Sequence, residues 1–249
     1  HDAEKAVLVT GSSSGIGLKI TEKLAANGFY VYAGARKEAD LERLDAMDNV
    51  SSVRLDVTVQ EDIDAAVQFV TDQGRGLYAI VNNAGVTAIS RLTSGPESDM
   101  DFVFDVNVYG PYRVNKAFLP LIEESGGHTT TIGSIAGFTG RSGIYSMSKF
   151  AVEAYTDSLA RELEDTDVHV SVIEPGGFKS NIRLTRAARA LAAAERGELE
   201  LTAQERSRHE NAEASRAGQK EPDEVADAIL DLLTTNNPKR RYMVTPNER

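Results

Sequence analysis

A tyrosine and a lysine stand four positions apart, Tyr145 and Lys149, inside the stretch SGIYSMSKFAVEAY. On a helix, residues i and i+4 share a face, so phenol and ammonium would point the same way. A free phenol ionises near pH ~10 and is a poor base at neutrality, but a nearby cation favours the phenolate. A tyrosine tuned in this way can give a proton to a carbonyl oxygen or take one from an alcohol. Ser134, at the expected carboxyl end of a strand eleven positions earlier, can hold the same oxygen through its hydroxyl. A lone Tyr-x3-Lys is more often an ordinary helix-surface pair, so the chemistry depends on its surroundings.

A second constellation lies near the start, TGSSSGIG at 10–17, between an apolar run and a helical pattern. Gly11 permits a tight turn, Gly15 lets a phosphate approach the backbone, and Gly17 lets helix and strand pack closely. Ser13, Ser14 and Ile16 complete the turn that carries free N–H groups to a helix N-terminus, where a pyrophosphate is favoured. The spacing is Gly-x3-Gly-x-Gly, not a P-loop, which needs Gly-Lys-Ser/Thr. NAD-binding sheets tend to end their second strand in an acid that holds the ribose 2′-OH. Here that strand ends AGARK, with Arg36 and no carboxylate before Glu38. A guanidinium can clamp a 2′-phosphate, so NADP(H) is expected over NAD(H). Asp56, followed by Val57 at the end of the third strand, can accept from an adenine amino group.

The elements that must position these residues alternate. Strands are expected at 6–10, 29–35, 52–57, 77–85, 128–134 and 169–177, with a last one near RRYMVTP. Helices are expected from 18 to a stop at Gly28, at 38–46 and 61–73, in one long stretch at 98–124, and at 145–164 and 221–233. Repeated strand-helix-strand units with nearly continuous apolar strands imply an α/β fold, a doubly wound parallel sheet with helices on both faces. Ligands then bind beyond the strand carboxyl ends, where the quoted motifs fall. The fifth strand, HTTTIGS, is unusually polar; its hydroxyls are expected to bond locally to backbone. Residues 1–249 read as a single domain. Within it, 181–220 carries few large aliphatics and reads as a mobile excursion.

Lys plus Arg number 27 and Asp plus Glu 38, a formal charge of −11. Such a surface repels phosphate backbones and anionic lipid, so no nucleic-acid partner is expected. There is no cysteine, which excludes disulfides and thiolate chemistry, and the four histidines lack metal-ligand spacing, so no metal is expected. No apolar run approaches the roughly 18 residues of a membrane span. The opening HDAEKAVLVTG has no signal-peptide core, and a cytoplasmic location is the expectation.

TGSSSGIG, NNAG at 82–85, Asn107 in DVNVYG, Ser134, YSMSK and PGG at 175–177 occur in order, each at an expected ligand-facing turn. Together they closely resemble the single-domain short-chain dehydrogenase/reductase family, over nearly the whole chain and least in 181–220. That resemblance implies a Rossmann-like fold and NADP(H)-linked hydride transfer to or from a small-molecule carbonyl or secondary alcohol. It implies Tyr145 as proton donor and acceptor. Lys149 would bind the nicotinamide ribose and lower the tyrosine's pKa, Ser134 would orient the substrate, and Asn107 would hold a relay water. Asn83, Ala84 and Gly85 would line the adenosine side, Pro175 and Gly176 would flank the nicotinamide, and Ser180 would stand where the family commonly has threonine. The segment 181–220 would be the substrate lid, and pairing of the long helices would give a homodimer or homotetramer. Local wording is similar to the hydroxysteroid and retinol dehydrogenase branch. Val86, Thr87, Ile89, Phe138, Ile144 and Phe178 are wall candidates and favour a hydrophobic substrate. Two alternatives remain: a same-fold enzyme acting on carrier-bound 3-oxoacyl groups, for which Arg113, Lys116, Arg141 and the arginines at 183, 186 and 189 would form a basic entrance, and a non-catalytic dinucleotide sensor.

Overall fold

The computed structural model describes residues 5–246. Seven strands form one all-parallel sheet: β1 Ala6–Val9, β2 Tyr30–Ala35, β3 Val50–Arg54, β4 Ala79–Asn82, β5 His128–Ile132, β6 His169–Pro175 and β7 Arg241–Val244, in the order β3-β2-β1-β4-β5-β6-β7. Both faces of a parallel sheet are covered, so its strands are buried on both sides. In β1, Val7 and Val9 face one core and Ala6 and Leu8 the other.

The first core is closed by α1 (Gly15–Ala26), α2 (Glu38–Asp45) and α11 (Asp223–Thr234), through Ile20, Leu24, Leu44, Ile229 and Leu232. The second is closed by α3 (Gln60–Asp72), α5 (Gly110–Ser125) and α7 (Ile144–Glu162), through Ile63, Val70, Phe118, Ile122 and Ala160. The expected stop of α1 is a left-handed turn: Gly28 has φ +85°, its N–H bonds Ala25 and that of Phe29 bonds Leu24. The order reverses between β1 and β4, so a crevice opens beyond their carboxyl ends.

The long helix expected at 98–124 is two helices, α4 (Glu97–Phe104) and α5, joined by a π-helical turn at Asp105–Tyr109. Proline supplies the reason. Pro111 has no N–H for the carbonyl four residues back, at Asn107, and its ring would clash there, so the chain takes a wider turn. The threonines of β5 also differ from expectation. Thr129 does not bond local backbone; its hydroxyl donates to Asn115 Oδ1 on α5 at 2.6 Å. Asn82 donates to the same oxygen at 2.9 Å, and Asn115 Nδ2 donates to the Tyr155 hydroxyl at 2.9 Å. Thr129 therefore belongs to a buried network that joins two strands to two helices, while the buried hydroxyl of Thr130 meets no hydrogen-bond partner.

The segment 181–220 is helical, as α8 (Ile182–Glu195), α9 (Ala203–Glu210) and α10 (Ala212–Ala217). Its core is made by small residues: Ala187, Ala190 and Ala193 are all buried. α6 (Ala136–Thr139) is a single turn, stopped by Gly140 at φ +63°.

Candidate active site

The site assembles at the carboxyl edge around the β1–β4 crevice. Gly11 and Gly15 have φ of +66° and +57°, which only glycine adopts without strain. A Cβ on Gly17 would collide with the Gly11 carbonyl and Asn83 Nδ2, which is the close helix-strand packing expected. Thr10 Oγ1 accepts from the N–H groups of Asn83 and Ala84, both at 3.0 Å, and Asn83 Nδ2 donates to the carbonyls of Thr10 (3.1 Å) and Gly11 (3.0 Å). Asn83 thus holds the loop with its side chain. Thr10 was not anticipated; its place at a strand end beside the glycines is the only signal.

Ser14 caps α1 without a side-chain hydrogen bond, and the first turn holds no acid. By contrast α2, α3, α4 and α11 all carry acids there. α5, α7 and α8 lack them as α1 does, so the open positive end of α1 suits an anion without being unique to it. Ser180 overhangs this turn: a Cβ on Gly15 would lie 3.3 Å from its Cα and Cβ. Pro175 ends β6, and the Gly176 N–H bonds Val244 at 2.8 Å, so both stand at the same edge. Ile16 packs on the first core.

Arg36 is exposed and contacts Asp56 Oδ2 at 3.5 Å. The other carboxylate oxygen of Asp56 accepts from the Thr58 N–H and hydroxyl at 3.0 and 2.7 Å. Burial pushes this carboxyl up, but the Thr58 and Arg36 bonds prevail and hold it below the usual range. Val57 is buried against Gly110. Arg43, not singled out in the sequence, donates to the Ser13 carbonyl at 2.5 Å and sits beside the phosphate loop.

Tyr145 and Lys149 lie at the start of α7, with Lys149 Nζ 5.5 Å from the phenol ring centroid. Ser134 lies near enough to the phenol to act on its ionisation, and its hydroxyl oxygen accepts from the Ala136 N–H at 3.1 Å. Lys149 is buried and donates to the Ile132 carbonyl at 2.8 Å. Asn107, on the π turn, donates to the Val86 carbonyl (2.9 Å) and the Ser148 hydroxyl (3.0 Å), and accepts from the Val86 N–H (2.8 Å). Ser148 in turn donates to the Tyr145 carbonyl at 2.7 Å. A Cβ on Gly85 would lie 3.6 Å from Asn107 Oδ1 and 3.9 Å from Lys149 Nζ, so these three converge.

The electrostatics differ from the expectation that Lys149 acidifies Tyr145. Burial pushes the phenol above its ordinary value, opposed by the Ser134 hydrogen bond. Burial also lowers Lys149 to about 8, with the Glu153 charge opposing. Removing a charge from water costs more here than the neighbours return.

Of the wall candidates, Phe178 is 4% exposed and belongs to the first core, Ile144 is 4% exposed and packs with Ala88 and Val103 beside Val86, whereas Phe138 is 46% exposed. Val86, Thr87 and Ile89 are half-buried in the loop after β4. The arginines of α8 do not form one basic face. Arg183 is exposed, while Arg186 donates to the Ala88 carbonyl (2.7 Å) and Arg189 to the Thr87 carbonyl (2.9 Å) and Asp99 (3.0 Å). Among the described residues, no cluster of three or more His, Asp or Glu could hold a metal, and no helix is long and apolar enough to cross a membrane.

The family model for short chain dehydrogenase matches residues 5–190. Retinol dehydrogenase 7 of Rattus norvegicus is 38% identical over 192 residues, covering 73% of this chain and 59% of that protein. The chain therefore spans less than two thirds of that relative. An uncharacterized oxidoreductase of Escherichia coli (strain K12), YbbO, is 32% identical, covering 97% of this chain and 86% of that protein. Among solved structures, a short chain dehydrogenase/reductase from Burkholderia phymatum in complex with NAD superposes with a TM-score of 0.82 at 26% identity, covering 97% of this chain and 88% of that one.

Proposed function

The chain belongs to the short chain dehydrogenase family, and on that premise we propose that it is an NADP(H)-dependent oxidoreductase acting on the carbonyl or secondary-alcohol carbon of a hydrophobic small molecule. The observation that carries this is the proximity of Ser134, Tyr145 and Lys149, with Lys149 Nζ 5.5 Å from the phenol ring centroid. The nicotinamide, when bound, supplies or accepts the hydride. Gly11, Ser13, Ser14, Gly15, Ile16 and Gly17 would hold its phosphates, Arg36, Asp56 and Val57 the adenosine end, and Asn83, Ala84 and Gly85 the middle. Pro175, Gly176 and Ser180 would flank the nicotinamide. Tyr145 gives or takes the proton at the substrate oxygen, Ser134 holds that oxygen, and Lys149 steadies the ionised phenol. Asn107 ties the Val86 loop to Ser148 and would hold a relay water for Lys149.

The NADP preference is supported by Arg36, whose exposed, 3.5 Å contact with Asp56 costs little to give up for a phosphate. The hydrophobic substrate is supported by the loop 86–89, by Phe138, and by likeness to a retinol dehydrogenase. The carrier-bound acyl alternative loses support: Arg113 is paired with Asp105 at 2.7 Å, and Arg186 and Arg189 are spent on loop carbonyls. The sensor alternative has no need of four converging polar residues. Exposed Tyr112 on α5 and Met147 and Phe150 on α7 support pairing with a second copy along those helices.

The test is a panel of ketones and alcohols with each nicotinamide, read by absorbance. The wild type should turn over apolar ketones with kcat/KM higher for NADPH than NADH. Tyr145→Phe should lose about 10²- to 10⁴-fold in kcat while still binding NADP⁺. Near-normal turnover in that variant would remove Tyr145 from the chemistry, and an NADH preference would overturn the assignment of Arg36.

A further inference from the structure

One turn beyond Lys149 on the same face of α7, Glu153 enters the protein beside the end of β6. Two glycines make room for it: a Cβ on Gly133 would lie 3.1 Å from Glu153 Oε1, and one on Gly137 would lie 3.3 Å from its Cγ. Oε1 is buried and meets no hydrogen-bond donor. Near it is a second carboxyl, that of buried Glu174 of β6, close enough for its charge to act on Glu153. Arg241 of β7 spans both, with Nε 3.1 Å from Glu153 Oε2 and 3.7 Å from Glu174 Oε1. Its other arm is taken by Asp157 of α7 at 2.8 Å, which Arg240 also contacts at 3.4 Å.

One guanidinium shared by Glu153, Asp157 and Glu174 cannot fully neutralise a buried carboxylate beside a half-buried one, and an orphan buried acceptor against a carboxyl is resolved by a proton between them. We propose that Glu153 and Glu174 share one proton and, clamped by Arg241, act as positioning residues that set the charge of Lys149 and so the pH range in which Tyr145 works. The inference rests on the oxidoreductase reading only for its catalytic consequence. Burial first, and then Glu174, push Glu153 up to about 7, against Arg241. The charge of Glu153 is in turn what opposes the burial penalty on Lys149. The pair thus releases its proton just below the range in which Lys149 gives up its own.

Two readouts test this. Infrared difference spectra of the full chain should show a protonated carboxyl band that titrates near neutrality. In Glu174→Gln it should titrate well below that, because Glu153 no longer has an anionic neighbour; in Glu153→Gln the band near neutrality should be lost. The pH profile of kcat/KM with NADPH and the best ketone should move less in Glu174→Gln than in Glu153→Gln, because Glu153 keeps its charge beside Lys149. In Glu153→Gln its alkaline limb should move about one unit toward acid, the size expected for about a tenfold weaker hold on the lysine proton. If no carboxyl titrates near neutrality, or the alkaline limb of Glu153→Gln matches wild type, the pair does not exist or does not reach Lys149. If no substrate is turned over, the enzymatic reading fails while the infrared titration still decides the pair. Should Glu153→Gln fold poorly, Glu174→Gln alone separates the outcomes, since an unmoved band overturns the proposal.

Discussion

At the scale of single residues, type and spacing carried most of the meaning. Tyr145 and Lys149 share a helix face because i and i+4 must, and Ser134 lies near the phenol. Charge state was not legible in this way. The sequence shows a cation near a phenol, but the outcome depends on how much water each loses, and burial dominates at both. Glycines read more reliably, since a missing Cβ has one meaning wherever backbones close. Gly17→Ala would force its methyl into the Gly11 carbonyl and the Asn83 amide. The expected outcome is a loss of about 1–3 kcal/mol in urea unfolding together with weaker NADP⁺ binding by titration. An unchanged midpoint would show that the α1–β1 approach is looser than these contacts imply.

Elements were legible where periodicity was strong and misleading where a local interruption mattered. The alternating strands and helices stand within a few residues of their expected bounds. The break of the long helix at Asp105–Tyr109 was signalled by Pro111, but a proline can also start a helix, and only the π turn shows which occurs. The threonines of β5 misled for a similar reason: a hydroxyl can satisfy itself locally or across space, and Asn115 decides it. Asn115→Leu would leave Asn82, Thr129 and Tyr155 without this partner. Each buried orphan costs about 1–3 kcal/mol, so a fall of at least about 2 kcal/mol in unfolding free energy is expected, with the same m-value. A change under half that size would mean that water replaces the amide.

At the scale of the whole molecule, a buried histidine and a half-buried glutamate make opposing demands on stability. His128, the first residue of β5, with Tyr78 3.1 Å away and His169 stacked at 5.0 Å, is lowered by burial first to about 4. Its folded value lies below the ordinary one of about 6.5, so the unfolded chain takes the proton first, and stability is lost as pH falls from about 6.5 to about 4. Glu153 is raised to about 7, so the folded chain holds the proton more tightly, and stability is lost as pH rises from about 4.5 to about 7. Between about pH 4.5 and 6.5 the two offset one another. Chemical denaturation across this range should show His128→Gln losing stability with rising pH and Glu153→Gln losing it with falling pH, the wild type varying less than either. Parallel profiles for all three would refute this account.

Sequence alone determined the α/β class, the parallel sheet and the glycine turn, because each follows from periodicity or from backbone freedom, and it nominated the site residues by helix spacing and by family resemblance. Only the tertiary structure decided which partners those residues meet. Arg186 and Arg189 turn to loop carbonyls and not to solvent, Phe178 enters the first core, Ile144 packs with Ala88 and Val103, and Glu153 comes near Glu174 from a different element. The physical reason is that solvation and charge pairing depend on what fills the space around a group, and that space is made by segments distant in sequence.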